Sequence, residues 1–121
     1  MDVIEKASEA LEELTDEGYI VQQGWYDADI GMLHITLWNL GDYEGGHSDD
    51  KADIEEAAIQ VNIWSDRDQV QLKKRIIKLM KAAGFCYTGS NDNLETDTKI
   101  FMNASRFIAA EEVKQEEEDD E

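Results

Sequence analysis

The 121-residue sequence carries 29 acidic and 11 basic side chains, which give a formal net charge of −18. Such an excess of negative charge argues against binding to nucleic acids or anionic membranes, because both need a basic surface that displaces counterions. The longest apolar run is four residues, far below the ~20 of a membrane-spanning helix, and the acidic start is unlike a signal peptide.

The N-terminal segment predicts an amphipathic helix followed by a strand. Four apolar residues recur at the spacing of one helix face, namely Ile4, Ala7, Leu11 and Leu14. This spacing predicts a helix over residues 2–16, which Gly18 ends. Residues 19–26 are rich in aromatic and β-branched side chains and predict a strand. The turn-forming residues 27–31 then predict a hairpin into the next strand.

Two central strands alternate between apolar and polar side chains. The apolar positions are Leu33, Ile35, Leu37, Ile59, Val61 and Ile63. If this set faces the helices, Trp38 and Trp64 lie on the outer face of the sheet, where exposed aromatic side chains are typical of an interaction surface. The alternative is that both tryptophans lie at strand ends, half covered by loops. His34 shares their phase and is expected on the sheet surface.

Two acidic segments lack apolar periodicity. Residues 41–55 contain three glycines and six acids and predict a mobile loop, in which Asp49 and Asp50 are candidate partner contacts. We predict no metal site at His47, because a flexible glycine-containing loop is a poor ligand cage. Residues 111–121 carry a net charge of −7 and predict a disordered acidic tail beyond a single domain over residues 1–110.

The second half predicts a helix and two strands. A helix is expected over residues 67–83, capped by Ser65 or Asp66 and ended by Gly84. Strands are expected at 85–88 and 99–108, joined by a polar turn over 89–97. The predicted fold is therefore α+β, in the order α-β-β-β-α-β-β. Its antiparallel or mixed sheet has about five strands, with two helices packed on one face.

No motif for catalysis, cofactor binding or metal binding emerges from the sequence. Residues 92–103 do not match a calcium-binding loop, because the third position is Leu94 and the twelfth is Asn103 instead of a glutamate. The single cysteine, Cys86, cannot form an internal disulfide, which indicates a reducing compartment. No lysine, arginine or histidine lies near it in sequence to make the thiol reactive, so a small apolar core residue is expected. We therefore predict that the protein is not an enzyme, binds no cofactor and needs no metal.

A lysine row departs from the acidic background. Lys74, Lys78 and Lys81 lie within about 60° of one another on the predicted helix, opposite its apolar face. The alternative is a solvated face, which is what charge runs usually are. The rest of the chain is strongly acidic, however, so a positive row makes the surface complementary to another copy of itself. Unlike patches that meet head to tail close into a ring when the rotation permits.

Five segments within about residues 2–112 resemble the sequences of one protein family. They are GYIVQQGWYD, MLHITLWNLGDYE, AAIQVNIWS, KLMKAAGF and ETDTKIFMNASRFIAAEE. The chain resembles the tail-completion, tail-terminator or head–tail joining proteins of long-tailed bacteriophages and prophages. The most specific segment is Ile59–Ser65, a strand that leads directly into an amphipathic helix ending at Gly-Phe.

The resemblance implies a structural role in the virion without any reaction. Members have an α+β fold and form a ring, commonly a hexamer, at the head-proximal end of the tail tube. The implied partners are other copies, the tail tube protein and the head-completion or connector protein. The implied location is the virion tail, after assembly in the bacterial cytoplasm. The alternatives from composition are a small acidic DNA-mimic inhibitor and an uncommitted binding domain.

Overall fold

The computed structural model describes residues 1–45 and 53–113, which form an α+β fold. The helices of this part are α1 (Val3–Ala10), α2 (Glu12–Asp16) and α3 (Val70–Ala82). The strands are β1 (Val21–Gln23), β2 (His34–Gly45), β3 (Asp53–Ser65), β4 (Cys86–Glu95) and β5 (Ile100–Val113). They form one sheet in the order β1-β2-β3-β5-β4. The predicted α+β class and five-stranded sheet are confirmed.

The first helix is divided in two. The predicted helix over residues 2–16 is interrupted at Leu11, whose backbone angles (φ −102°, ψ 15°) leave the helical range. Gly18 ends the second segment as predicted, with φ of +102°, a left-handed conformation that glycine adopts without steric cost. The peptide N–H of Tyr19 donates to the carbonyl of Leu14, 3.0 Å away, and closes the helix end.

The helix over 70–82 begins later than predicted. Its N-cap residue is Gln69, whose side chain makes no capping hydrogen bond, so the prediction of a cap at Ser65 or Asp66 is wrong. The Gln69 N–H instead donates to Asn103 Oδ1 on β5, 2.9 Å away. A neighbouring strand thus satisfies an amide that local side chains were expected to satisfy.

The hairpin predicted at residues 27–31 is wrong. Strand β1 runs parallel to β2, with Val21 opposite Ile35, whereas the other strand pairs are antiparallel. Parallel neighbours cannot be joined by a tight turn, because the chain must return to the starting end. Residues 24–33 make this return, and they carry Trp25 and Tyr26 onto a face of the sheet.

The predicted loop over 41–55 is wrong at both ends, because β2 and β3 continue to the pair Gly45–Ile54. The predicted tail is wrong at residues 111–113, which extend β5 to the pair Asp53–Val113. Backbone hydrogen bonds form regardless of side-chain charge, so acidic composition alone did not exclude these strands. The rest of both segments, including His47, Asp49 and Asp50, lies outside the described residues.

The predicted turn over 89–97 is also mostly strand. Strand β4 pairs with β5 as far as Glu95–Ile100. Strands β2 and β4 carry one bulge each: the register shifts between Asn39 and Gly41 in β2, and between Tyr87 and Gly89 in β4. The extra residues are therefore Leu40 and Thr88. They lie near the same level of the sheet, since the Ile59–Phe107 pair adjoins both.

One hydrophobic cluster joins the helices to the sheet. Its members on the helices and at the break between α1 and α2 are Val3, Ala7, Leu11, Leu14, Leu72, Ile76 and Met80. Its strand members include Ile35, Leu37, Ile59, Val61, Ile63 and Phe107. The strand members share one phase of their strands, as the alternation predicted. We call this face of the sheet the helix side and the opposite face the second side. Within the described residues, no helix is long and apolar enough to cross a bilayer.

Candidate functional site

The lysine row lies on the outward face of α3. Lys74, Lys78 and Lys81 are exposed, and the helix turns them away from the buried residues Leu72, Ile76 and Met80. No carboxylate of residues 1–44 or 54–112 lies within ion-pair distance of these lysines. The row is therefore a positive surface that this part of the chain leaves uncompensated.

The other α3 bases are engaged within the molecule. Arg75 Nη1 donates to Glu17 Oε1 at 2.9 Å and Arg75 Nη2 donates to Glu13 Oε2 at 2.5 Å. The hydrogen bond from Arg75 lowers the pKa of Glu17, and the two carboxylates raise the pKa of Arg75. Lys73 Nζ lies 3.0 Å from Asp92 on β4. These pairs fix α3 against α2 and β4.

A second charged row lies beside the first, on α1 and α2. Its members are Glu5, Glu9, Glu12 and Asp16, all exposed. At about 100° per residue, Glu5 and Glu9 lie about 40° apart on α1, opposite the buried Val3 and Ala7. Glu12 and Asp16 lie about 40° apart on α2, opposite the buried Leu14. We call this set the acidic row. Sequence reasoning missed it as a surface, although its i, i+4, i+7, i+11 spacing carried the signal.

The second side of the sheet carries an aromatic cluster. The ring centroid of Trp25 lies 5.9 Å from that of Trp38 and 5.4 Å from that of Trp64, and the Tyr26 ring lies 5.4 Å from Trp64. Trp38 is 45% exposed, whereas Trp64 is only 7% exposed. Both tryptophans share the predicted phase, but Trp64 is covered by residues 24–33 and offers little surface to a partner. Trp25 and Tyr26 were missed as members, because only the crossing path of their segment brings them here.

Beneath the cluster lies a network of buried polar groups. Trp64 Nε1 donates to Thr36 Oγ1 at 2.9 Å, and Gln60 Nε2 donates to Asn62 Oδ1 at 2.8 Å. His34 is fully buried, which corrects its expected place on the surface. Its Nε2 accepts the Asp27 N–H at 3.1 Å, and its Nδ1 lies 2.9 Å from the Met32 carbonyl. These bonds tie residues 27–32 to β2.

An open apolar strip continues the second side beyond the cluster. Tyr43 and Ile54 are exposed there, on the same face as Trp38 according to the strand register. Cys86 pairs with Ile108 in this region and is exposed, so its expected place in the core is wrong. Phe85 occupies the core in its place, one residue out of phase.

A cleft opens beside the aromatic cluster. It measures about 680 Å³ and lies at the end of the sheet, where Tyr26, Trp64, Arg67 and Lys99 contribute to its lining. Its lining contains no histidine and no cysteine. Asp66 and Arg67 form an ion pair at its rim, both about three-quarters exposed, where water screens their charges. Within the described residues, no three histidine, cysteine or carboxylate groups cluster to hold a metal ion.

The candidate contact residues therefore divide between two opposite faces. The lysine row lies on the helix side, whereas Trp38 and Trp64 lie on the second side. The remaining candidates, Asp49 and Asp50, lie outside the described residues. A single flat contact cannot include both the lysines and the tryptophans, so these residues fit two different neighbours.

Comparison with known proteins identifies a similar fold. No protein-family model matches the chain, and the curated proteins contain no match. Among solved structures, a chain of the virion of a native gene transfer agent particle is similar, with a TM-score of 0.53. The likeness covers 89% of this chain and 84% of the other at 10% sequence identity. At this identity the likeness concerns the fold.

Proposed function

We propose that this protein is a structural component of a phage-type virion that completes the tail. It forms a ring, six copies in the particle, at the head-proximal end of the tail tube and joins the tube to the head connector. The observation that carries this proposal is the likeness in fold to a chain of a gene transfer agent virion along most of both chains. The resemblance of segments such as Ile59–Ser65 to tail-completion proteins supports the finer assignment.

The surfaces of the molecule suit a part held between neighbours. The lysine row and Trp38 lie on opposite sides of the molecule, the helix side and the second side, so two neighbours can bind at once without competing. The proposed neighbours are other copies, the tail tube protein and the connector. The net charge of −18 also suits the end of a tube through which DNA passes, because like charges repel.

Electron microscopy of particles made without the protein tests this function. Deleting the gene from the phage or prophage that carries it should leave separate heads and tails of uncontrolled length, and the wild-type gene should restore joined particles. A gene that encodes Trp38→Ser should fail to restore joined particles, because the substitution removes an exposed aromatic contact. Asn93→Ser, an exposed polar change on the same face, serves as the matched control and should restore joining. Normal particles in the deletion strain would refute the proposal.

One observation also favours a second function, that of a DNA-mimic inhibitor. Such mimicry needs carboxylates fixed on rigid elements, and the acidic row provides four of them along two helices. Several acids predicted in loops, among them Glu44, Glu55 and Glu111, lie on paired strands. Displacement of labelled duplex DNA from a DNA-binding protein of the host would support this function. Particles that need the protein, together with no displacement, would support the first.

A further inference from the structure

Two rows of opposite charge lie side by side on the helix side of the molecule. The acidic row spans Glu5 to Asp16, and the lysine row spans Lys74 to Lys81. At 1.5 Å per residue the lysine row is about 10 Å long, and the parts of the acidic row on α1 and on α2 are about 6 Å long each. Four carboxylates and three ammonium groups therefore face solvent over comparable lengths, so each row could cover the other.

The two rows cannot neutralise each other within one molecule. Each points away from the buried face of its own helix, and both buried faces belong to the same cluster against the sheet. Both rows therefore point outward in nearly the same direction. Between them lies Arg75, which already binds Glu13 and Glu17. The strip between the rows is thus internally paired, and the charge available to a partner lies in the rows themselves.

The common direction of the rows decides which symmetry they fit. In a ring of n copies, each copy is related to the next by a rotation of 360°/n. Two unlike surfaces of one copy therefore meet only if the angle between their outward directions is about 180° minus this rotation. This difference is about 120° for six copies and vanishes for two. Rows that point the same way therefore meet across a two-fold axis, with each lysine row on the acidic row of the other copy.

We propose that two copies of this chain dock helix side to helix side, across a two-fold axis that runs between α1–α2 and α3. Lys74, Lys78 and Lys81 of each copy face Glu5, Glu9, Glu12 and Asp16 of its partner. This pairing goes beyond the proposed function. A ring of six copies would need a contact between the lysine row and a surface that points in a direction about 120° away from it. The dimer therefore covers the lysine row in the free protein and must open before a ring forms.

Charge reversal with rescue tests this pairing. One variant carries Lys74→Glu, Lys78→Glu and Lys81→Glu, and a second carries Glu5→Lys, Glu9→Lys and Glu12→Lys. Each reversal changes the charge by two units, so the net charges become −24 and −12. A third variant carries all six changes and keeps the wild-type net charge of −18. Mass is measured by light scattering and sedimentation, at low and at high salt.

The wild type should be a dimer at low salt that dissociates as salt rises, because exposed charges are screened. Each triple variant should dimerise at least about tenfold more weakly, since both contacts of a two-fold pair become like-charged. The variant with all six changes should regain the dimer, and a mixture of the two triple variants should form a mixed dimer. A control with Arg67→Glu and Lys99→Glu, which lie away from the rows, should dimerise as the wild type does.

Three results would overturn the pairing. The first is a wild type that stays a single chain at low salt. The second is a variant with all six changes that stays dissociated, and the third is a dimer whose dissociation no charge reversal changes. A larger ring that follows the same rescue pattern would overturn the two-fold arrangement. These outcomes are independent of the gene-deletion test, because a dimer can exist in a protein that joins no tails, and joined tails can depend on a protein that forms no dimer.

Discussion

Replacing Asn103 by alanine should strongly destabilise the fold, because this buried side chain connects three elements. Its Oδ1 accepts the Gln69 N–H at the start of α3. Its Nδ2 donates to Asp68 at 2.9 Å and to Asp92 at 2.8 Å. Asn103 is 1% exposed, so water cannot replace these bonds without entering the structure.

The expected loss in unfolding free energy is about 3 kcal/mol. The bond to the N–H of Gln69, the N-cap residue of α3, satisfies a free amide at the start of the helix and contributes about 1 kcal/mol. The two bonds to carboxylates contribute about 1 kcal/mol each, a value lowered from the usual range because Asp92 is partly exposed and screened. For a chain of this length, the melting temperature should fall by roughly 12 °C.

Urea unfolding at neutral pH measures this loss for Asn103→Ala. The control is Asn93→Ala on β4, an exposed asparagine whose replacement should cost less than about 0.5 kcal/mol. The Asn103 hydrogen bond is also the largest cause of the low pKa of Asp92, ahead of Lys73. That pKa should therefore rise part of the way toward its ordinary value, as carboxyl NMR can follow. A loss below about 1 kcal/mol together with an unchanged Asp92 pKa would refute this reasoning.

Three further predictions concern acid stability, a thiol and a buried hydroxyl. The pKa values of Glu17 and Asp92 are lowered in the folded chain, so their stabilisation is complete above the ordinary carboxyl pKa of about 4 and is lost as pH falls through the lower folded values. Urea midpoints at pH 7 and pH 3 should thus differ less in Glu17→Gln than in the wild type. Native Cys86 should react with a thiol reagent nearly as fast as the unfolded thiol, and slow labelling would contradict its exposure. Thr36→Val should cost about 2 kcal/mol in urea unfolding, since it leaves the indole N–H of Trp64 buried without an acceptor, whereas Thr36→Ser should retain most of the stability.

The features that sequence predicted well depend on local periodicity. The alternation of Ile59, Val61 and Ile63 fixed which side chains face the core, because successive residues of a strand point to opposite faces. The apolar spacing in α3 likewise placed Lys74 and Lys78 on its exposed side. Both features depend on residues a few positions apart, so they are visible in a short stretch of sequence.

The features that sequence missed depend on contacts between distant segments. The parallel direction of β1 follows from where residues 24–33 cross the sheet, and the same crossing buries Trp64. The strand ends around Glu44 and Glu111 form because each supplies backbone partners to β3, which composition does not reveal. His34 was expected to be exposed and is buried, whereas Cys86 was expected to be buried and is exposed. The reason is the same, because the segments that cover a strand face come from elsewhere in the chain.

The bulges at Leu40 and Thr88 bear on how this chain avoids aggregation. The sequence contains no proline, one of the residues that commonly protect sheet edges from pairing with other strands. The extra residue Thr88 instead lies in the outer strand β4, and Leu40 lies in the part of β2 that extends beyond the three residues of β1. Each of them interrupts the regular spacing of free peptide groups at its edge. A foreign strand therefore cannot add along the full length of either edge, and amyloid-like stacking is discouraged. Association through the faces remains open, and complementary faces, unlike sheet edges, stop recruiting copies once they are covered.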